Sequence, residues 1–494
     1  MHCLRGINVL LICMAVLCRK PSKMKKNYTT HRLTTTPVMA TLAGFLLLGQ
    51  FFAGCKKGGV FPLPASELAK VKHVVVIYLE NHSFDNLYGQ FAGANGLSEA
   101  RAAQIIQLDS MGKPYTFLPA ITESSAFPTN LPNHFFDIDQ YIPNDMLTPD
   151  VLHRYYQEQL QIDGGKMDKY ALYNSNSQGM SQGYYKTNLI PLLSIAQRYT
   201  LCDNFFHSAF GGSFLNHMWL IAAASPVFPN APSNIVAKFD AKGNLISDGQ
   251  VTPDGFVVNT SYSVNAPHPS TVAAANLVPN QTLPTIGDRL SEKNVSWAWY
   301  SGGWDSALAG HPDPTFQFHH QPFAYFANYA DGTKAKADHL LDEKLFIAAA
   351  KNGTLPSVSF VKPLGINNEH PGYSDVANGE NHTVELINDI LNGPNGKDAL
   401  IIVTYDENGG FWDHVAPPVI DKKWGPGTRV PAIIVSPFAK RGFVDHTQYE
   451  TASILTLIEK RWDLKPLSSR DRDANPLENV FDFDADQQPG YGRK

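Results

Sequence analysis

Two stretches of this chain share one design, and together they restrict the fold more than anything else in it. His73–Leu79 (HVVVIYL) is a short apolar run rich in β-branched residues, which reads as a strand buried on both faces. It stops abruptly at Glu80-Asn81-His82, three polar side chains in a row. Ala399–Tyr405 (ALIIVTY) repeats the pattern and stops at Asp406-Glu407-Asn408, followed by Gly409-Gly410-Phe411-Trp412-Asp413-His414. In open α/β sheets, ligands sit at the carboxyl ends of the strands. Read alone, each stretch is equally consistent with a polar turn that caps the next helix. The pair is harder to explain that way. Adjacent carboxylates at roughly 4 Å repel by about 4 kcal/mol at an effective dielectric near 20. One must therefore be protonated, the two must diverge, or a cation must lie between them. The glycines that follow allow a tight turn around such a cation.

The remaining elements support a parallel sheet covered on both faces. Leu201–Phe206 reads as a strand entering the glycine turn His207–His217, and the apolar run Met218–Ala224 reads as a buried helix. Ser213 stands at that strand-to-helix turn, where free N–H groups and the helix dipole favour an anion; a plain N-cap is the simpler role. Val295–Tyr300, Ser357–Lys362 and Val430–Ser436 read as further strands. Pro149–Gln161, Leu189–Tyr199, Leu283–Lys293, Lys336–Lys351, Glu380–Leu391 and Thr451–Trp462 read as helices, the first of them carrying His153. Alternating strands and helices with near-continuous apolar strands predict an α/β fold. Lys238–Pro269, dense in Gly, Asp, Asn and Pro, reads as hairpins and loops inserted on that body. We therefore expect one domain over 61–494, with a cap-like insertion at about 236–280.

The first 55 residues read as an export leader. Lys23-Met24-Lys25-Lys26 precedes the apolar run Val38–Phe52, which is short for a membrane span, and Ala53-Gly54-Cys55 follows. Small residues before a cysteine resemble a lipoprotein signal cleaved before Cys55 and acylated on it. The expectation is an exported bacterial protein, in the periplasm or held at the outer membrane through Cys55. Of five cysteines, only Cys202 lies in the mature body, so no internal disulfide is expected. A net charge of −5 without a long run of one sign in the body argues against nucleic acid as a partner.

Polar clusters thus lie downstream of five strands: Glu80/Asn81, the Ser213 turn, His319/His320, His370 and Asp406/Glu407. Asn81, Ser213, Asp406 and Glu407 offer a hard, oxygen-rich set suited to one divalent cation of the magnesium, calcium or manganese type. A cation lowers the pKa of a hydroxyl, and histidines can protonate a leaving oxygen or hydrogen-bond a phosphoryl group. The chemistry that uses all of these is phosphoryl transfer to water.

Glu80-Asn81-His82-Ser83-Phe84-Asp85, Gly212-Ser213 with Asn216-His217, His370-Pro371, and Tyr405 through His414 resemble the motifs of the bacterial phosphoesterase family. That family includes phosphatidylcholine-hydrolysing phospholipases C and a respiratory-burst-inhibiting acid phosphatase. The resemblance spans about Val71–Trp462. It implies an alkaline-phosphatase-like three-layer α/β/α sandwich with a mostly parallel central sheet. It also implies Ser213 as a phosphorylated nucleophile and Asn81, Asp406, Glu407 and Ser213 as metal ligands. Glu80, His153, His319, His320 and His370 take the surrounding catalytic positions. The implied substrate is a phosphate ester, phospholipids included. A lipoprotein that binds phosphorylated or glycan ligands without turnover is the alternative. A sulfatase-like hydrolase is a further one, although Ser213-Phe214-Leu215-Asn216-His217 lacks the Pro and Arg of the sulfatase pattern.

Overall fold

A computed structural model describes residues 63–175 and 177–484, so the leader and Cys55 lie outside the described residues. The main sheet has eight strands: β1 His73–Leu79, β2 Thr200–Cys202, β3 Trp297–Ser301, β4 Leu340–Asp342, β5 Val358–Lys362, β6 Ala399–Tyr405, β7 Ala432–Val435 and β8 Phe443–Asp445. Across the sheet they run β8-β2-β7-β6-β1-β5-β3-β4. Every neighbouring pair is parallel except the two that β7 makes, with β6 and β2. All seven residues of β6 are buried, as is β1 from Val74 onward. A central strand can be this apolar only if helices cover both faces of the sheet. The main helices are α1 Tyr155–Ile162, α2 Ser213–Ala222, α3 Glu343–Asn352, α4 Val376–Asn392 and α5 Thr451–Trp462, with α5 packed on α2 and α3 on α4. The result is the mostly parallel α/β/α sandwich expected. Among the described residues, no helix is long and apolar enough to cross a membrane.

Two helices read from the sequence take a different form. Lys336–Lys351 is not one helix. It divides into Lys334–His339 and α3, because Leu340 and Leu341 pair with Trp299 and Tyr300 to form the edge strand β4. Asp342 then caps α3 by accepting from the Lys344 amide at 3.2 Å. The helix read over Pro149–Gln161 begins only at Tyr155, which leaves His153 on the extended segment before it. The reason is tertiary: the segment threads between the two glycine turns. A Cβ on Gly410 (φ +71°) would lie 2.4 Å from the Leu152 carbonyl oxygen, and one on Gly212 would lie 2.7 Å from that of His153. The glycines make room for the backbone that presents His153.

Candidate active site

Because β1 and β6 are parallel neighbours with Leu79 opposite Tyr405, Glu80-Asn81 and Asp406-Glu407 leave the sheet side by side. Asn81 has φ +70°, a left-handed conformation that asparagine tolerates better than most residues. Ser213 is the first residue of α2, whose cap is Gly212, and its side chain makes no capping bond. Its hydroxyl instead faces Glu80 Oε2 at 3.2 Å, Asn81 Oδ1 at 3.3 Å and Glu407 Oε1 at 3.5 Å. One hydroxyl proton cannot serve three acceptors.

The orientation of the Asn81 amide decides what this centre is. Its inner atom lies 2.8 Å from Glu407 Oε1, 3.1 Å from Asp406 Oδ1 and 3.2 Å from Glu80 Oε2. Its outer atom lies 3.2 Å from His153 Nε2 and 2.8 Å from His370 Nε2. An inward NH2 would donate to the carboxylates. The two imidazoles argue for the opposite placement. His153 Nδ1 faces the Val151 carbonyl at 2.5 Å and His370 Nδ1 faces that of Pro371 at 2.6 Å, so both protons belong on Nδ1. In neutral rings both Nε2 atoms then accept, the outer amide atom is the donating NH2, and Oδ1 points inward. Burial, the largest influence, holds the His370 imidazole below its ordinary value and so neutral.

Oxygens of Asn81, Ser213, Asp406, Glu407 and Glu80 therefore converge with separations of about 3 Å. That is the edge of an octahedron with metal–oxygen bonds near 2.1 Å. Burial, then Glu80 and Glu407, pushes the Asp406 carboxyl well above its usual range. Burial, with Glu80 adding to it, does the same for Glu407. Glu80 goes the other way. Burial opposes its ionisation, but Lys362 first, then His320 and His370, hold it well below the ordinary value. Lys362 is the effective cation of these, since burial drives the His320 imidazole down to about 4. Wholly buried at the end of β5, Lys362 places Nζ 2.7 Å from Glu80 Oε1 and 3.8 Å from Asp406 Oδ2. With all three carboxylates ionised, one ammonium would leave a surplus of two negative charges, and a divalent cation is the charge that would let Asp406 and Glu407 ionise despite their burial.

All nine residues singled out from the sequence meet here. Glu80, Ser213, His153, His319 and His370 line a cavity of about 530 Å³, together with Phe214, Tyr373, Asn259 and Thr260. Asn81, Asp406 and Glu407 lie behind the cavity wall against Ser213 and Glu80, and His320 stands behind Glu80. Among the described residues, three groups could hold a metal ion: Glu80/His217/His320, Asp150/His153/His370 and Asp85/Asp413/His414. Two contributors escaped the reading of the sequence as site residues. Lys362 had a signal, a lysine closing the mostly apolar run Val358-Ser359-Phe360-Val361. His217 had another, one helical turn after Ser213 and so on the same face of α2.

The sequence model of the Phosphoesterase family matches residues 71–465. The chain belongs to the Phosphoesterase family. Among its relatives, phospholipase C B of Mycobacterium tuberculosis is 23% identical over 92% of this chain and 84% of its own length. The non-hemolytic phospholipase C of Pseudomonas aeruginosa is 24% identical over 89% of this chain and 60% of its own. Of solved structures, a protein of the alkaline phosphatase superfamily from Vibrio parahaemolyticus aligns at 11% identity and TM-score 0.30, over 67% of this chain and 74% of that one. Family membership and metal-competent groups beside a cleft hydroxyl support a metal-dependent hydrolase.

In this phosphoesterase the third group already has its cation. Arg429, wholly buried, donates to Asp413 at 2.9 and 3.1 Å and to Asp85 at 3.2 Å, while His414 Nδ1 lies 2.6 Å from Asp85. The cluster ties the turn after β1 to the turn after β6. Arg429→Met strands two buried carboxylates, and we expect it to destabilise the protein by about 3–5 kcal/mol, read as the shift in a urea unfolding curve. Unchanged unfolding would show that the clamp contributes nothing.

Proposed function

We propose that this phosphoesterase is a phospholipase-C-type hydrolase that works through a phosphorylated Ser213 and one divalent cation held by Asn81, Ser213, Asp406 and Glu407. The inward Asn81 carbonyl carries this reading, because it turns a further oxygen on those of Ser213, Glu80, Asp406 and Glu407, and a positive ion there offsets their mutual repulsion. When bound, the ion lowers the pKa of the serine hydroxyl and offsets phosphoryl charge. Glu80, ionised by Lys362, lies 3.2 Å from Ser213 Oγ and accepts its proton. Ser213 Oγ then forms a bond to phosphorus, and the bond to the alcohol oxygen breaks. His153 and His370 are committed to holding Asn81. His319 lines the cavity with Nδ1 unpartnered, and burial holds its imidazole well below the ordinary value, so in this reading the ring relays the proton taken up by Glu80 to the leaving oxygen rather than keeping it. Water next attacks the phosphorus of the serine intermediate: its hydroxyl stays on phosphorus, its other proton returns to Ser213 Oγ, and the phosphorylated headgroup of a diester, or phosphate from a monoester, is released.

The substrate assignment rests on relatives that carry the name phospholipase C over most of this chain. In the same reading, segment 236–280 acts as a cap that contributes Asn259 and Thr260 to the cavity wall. An acylated Cys55 holds the exported protein against a membrane. Parallel assays on phosphatidylcholine vesicles and on a generic aryl phosphate test the assignment. We expect the phospholipid to be hydrolysed with a kcat/KM at least about tenfold higher, and both activities to stop on chelation and return with calcium, magnesium or manganese. Turnover of the aryl phosphate alone would make the protein a phosphomonoesterase. Binding of phosphocholine with no turnover of either would leave a ligand-binding lipoprotein.

A further inference from the structure

Behind the oxygen-lined centre lies a second place of different donor chemistry. Glu80, His217 and His320 bring ligand atoms within 4.8 Å of one another, all buried. His217 Nδ1 donates to the Ser213 carbonyl at 2.7 Å, which leaves its Nε2 as a bare lone pair with no partner. Asp406 Oδ2 is also buried without a hydrogen-bond donor, 3.7 Å from His217 Nδ1. The His217 and His320 rings stack at 5.2 Å and 6°, and His320 Nε2 faces Glu80 Oε1 at 2.5 Å. Two imidazoles and two carboxylates make a donor set of the zinc, cobalt or manganese kind.

The Lys362 ammonium already stands there. Nζ is 2.7 Å from Glu80 Oε1, 3.8 Å from Asp406 Oδ2 and 3.3 Å from the Leu79 carbonyl it donates to, and it lies 5.3 Å from the centre of the Tyr78 ring. It takes no part in lining the cavity. We propose that Lys362 is what keeps this a one-ion centre. Its ammonium fills a second cation place bounded by Glu80, Asp406, His217 and His320, and a short neutral side chain at position 362 converts that place into a transition-metal site. A fixed ammonium satisfies Glu80 Oε1 and leaves Oε2 turned toward Ser213, which makes Lys362 a positioning residue. The inference rests on the reading of the first site as a cation centre.

Cobalt(II) titration of the metal-free protein, followed by equilibrium dialysis and visible absorption, tests it. Wild type is expected to bind one ion per chain, and Lys362→Ala two. The second ion should bring the intense d–d absorption of a low-coordinate site with nitrogen ligands, and should raise the melting temperature of the variant more than that of wild type. If Lys362→Ala does not fold, Lys362→Gln serves for the same count, with the same two ions expected. Two ions in wild type, or one in the folded variant, overturns the proposal. No ion in wild type overturns the cation reading of the first site instead.

Discussion

Ser213→Ala is expected to lower phosphate-ester turnover by at least about 10³-fold, the scale on which hydrolases lose rate when their nucleophile is removed. The fold should not suffer. Ser213 makes no capping bond to α2, Gly212 holds the cap position, and alanine is the better helix former. Asn81, Asp406 and Glu407 remain, so the variant should still bind one divalent ion, more weakly. Acid-quenched wild type exposed to substrate should carry phosphate on Ser213, and the variant should carry none. Wild-type turnover in the variant would remove the serine from the mechanism. Equal loss of ion binding and of fold would mean that the hydroxyl is structural.

Asp406→Asn has the second large effect, and its sign depends on the ion. The residue is wholly buried among like charges, and its carboxyl is pushed up by burial, then by Glu80 and Glu407. A carboxyl whose folded pKa is raised adds stability below its unfolded value near 3.8, and that stability is lost as pH climbs through the folded value. Metal-free wild type should therefore weaken as pH rises across that window. Metal-free Asp406→Asn should weaken less, and at neutral pH it should be no less stable than wild type. With the ion present the order reverses. At an ion concentration of 100 times the wild-type dissociation constant, wild type gains about 2.7 kcal/mol. A variant bound at least about 100-fold more weakly gains no more than about 0.4 kcal/mol. Melting curves with and without calcium or manganese read both halves. A variant that the ion stabilises as much as wild type would show that Asp406 is not a ligand.

Neither effect could have been sized from the sequence, though both residues were visible in it. Apolar runs that stop at Glu80-Asn81 and Asp406-Glu407 show themselves because a doubly covered strand favours apolar side chains until it leaves the sheet. Ser213 was legible as the residue between a strand, a glycine turn and an apolar helix. The break at Leu340–Asp342 was not, since Leu340 and Leu341 suit a helix as well as a strand until Trp299 and Tyr300 lie beside them.

The layered α/β fold and the polar residues that leave the ends of its strands were thus legible in local pattern: side-chain chemistry at the ends of buried strands is a property of the chain itself. Charge state and orientation were decided only by tertiary structure. The inward turn of the Asn81 carbonyl depends on backbone carbonyls at Val151 and Pro371 fixing the protons of His153 and His370. The ionisation of Glu80 depends on Lys362, 282 positions away in sequence but two strands from Asp406 across the sheet, through the parallel pairing of β5 with β1 and β1 with β6. Coulomb energy follows distance in space and burial, and one-dimensional order carries neither.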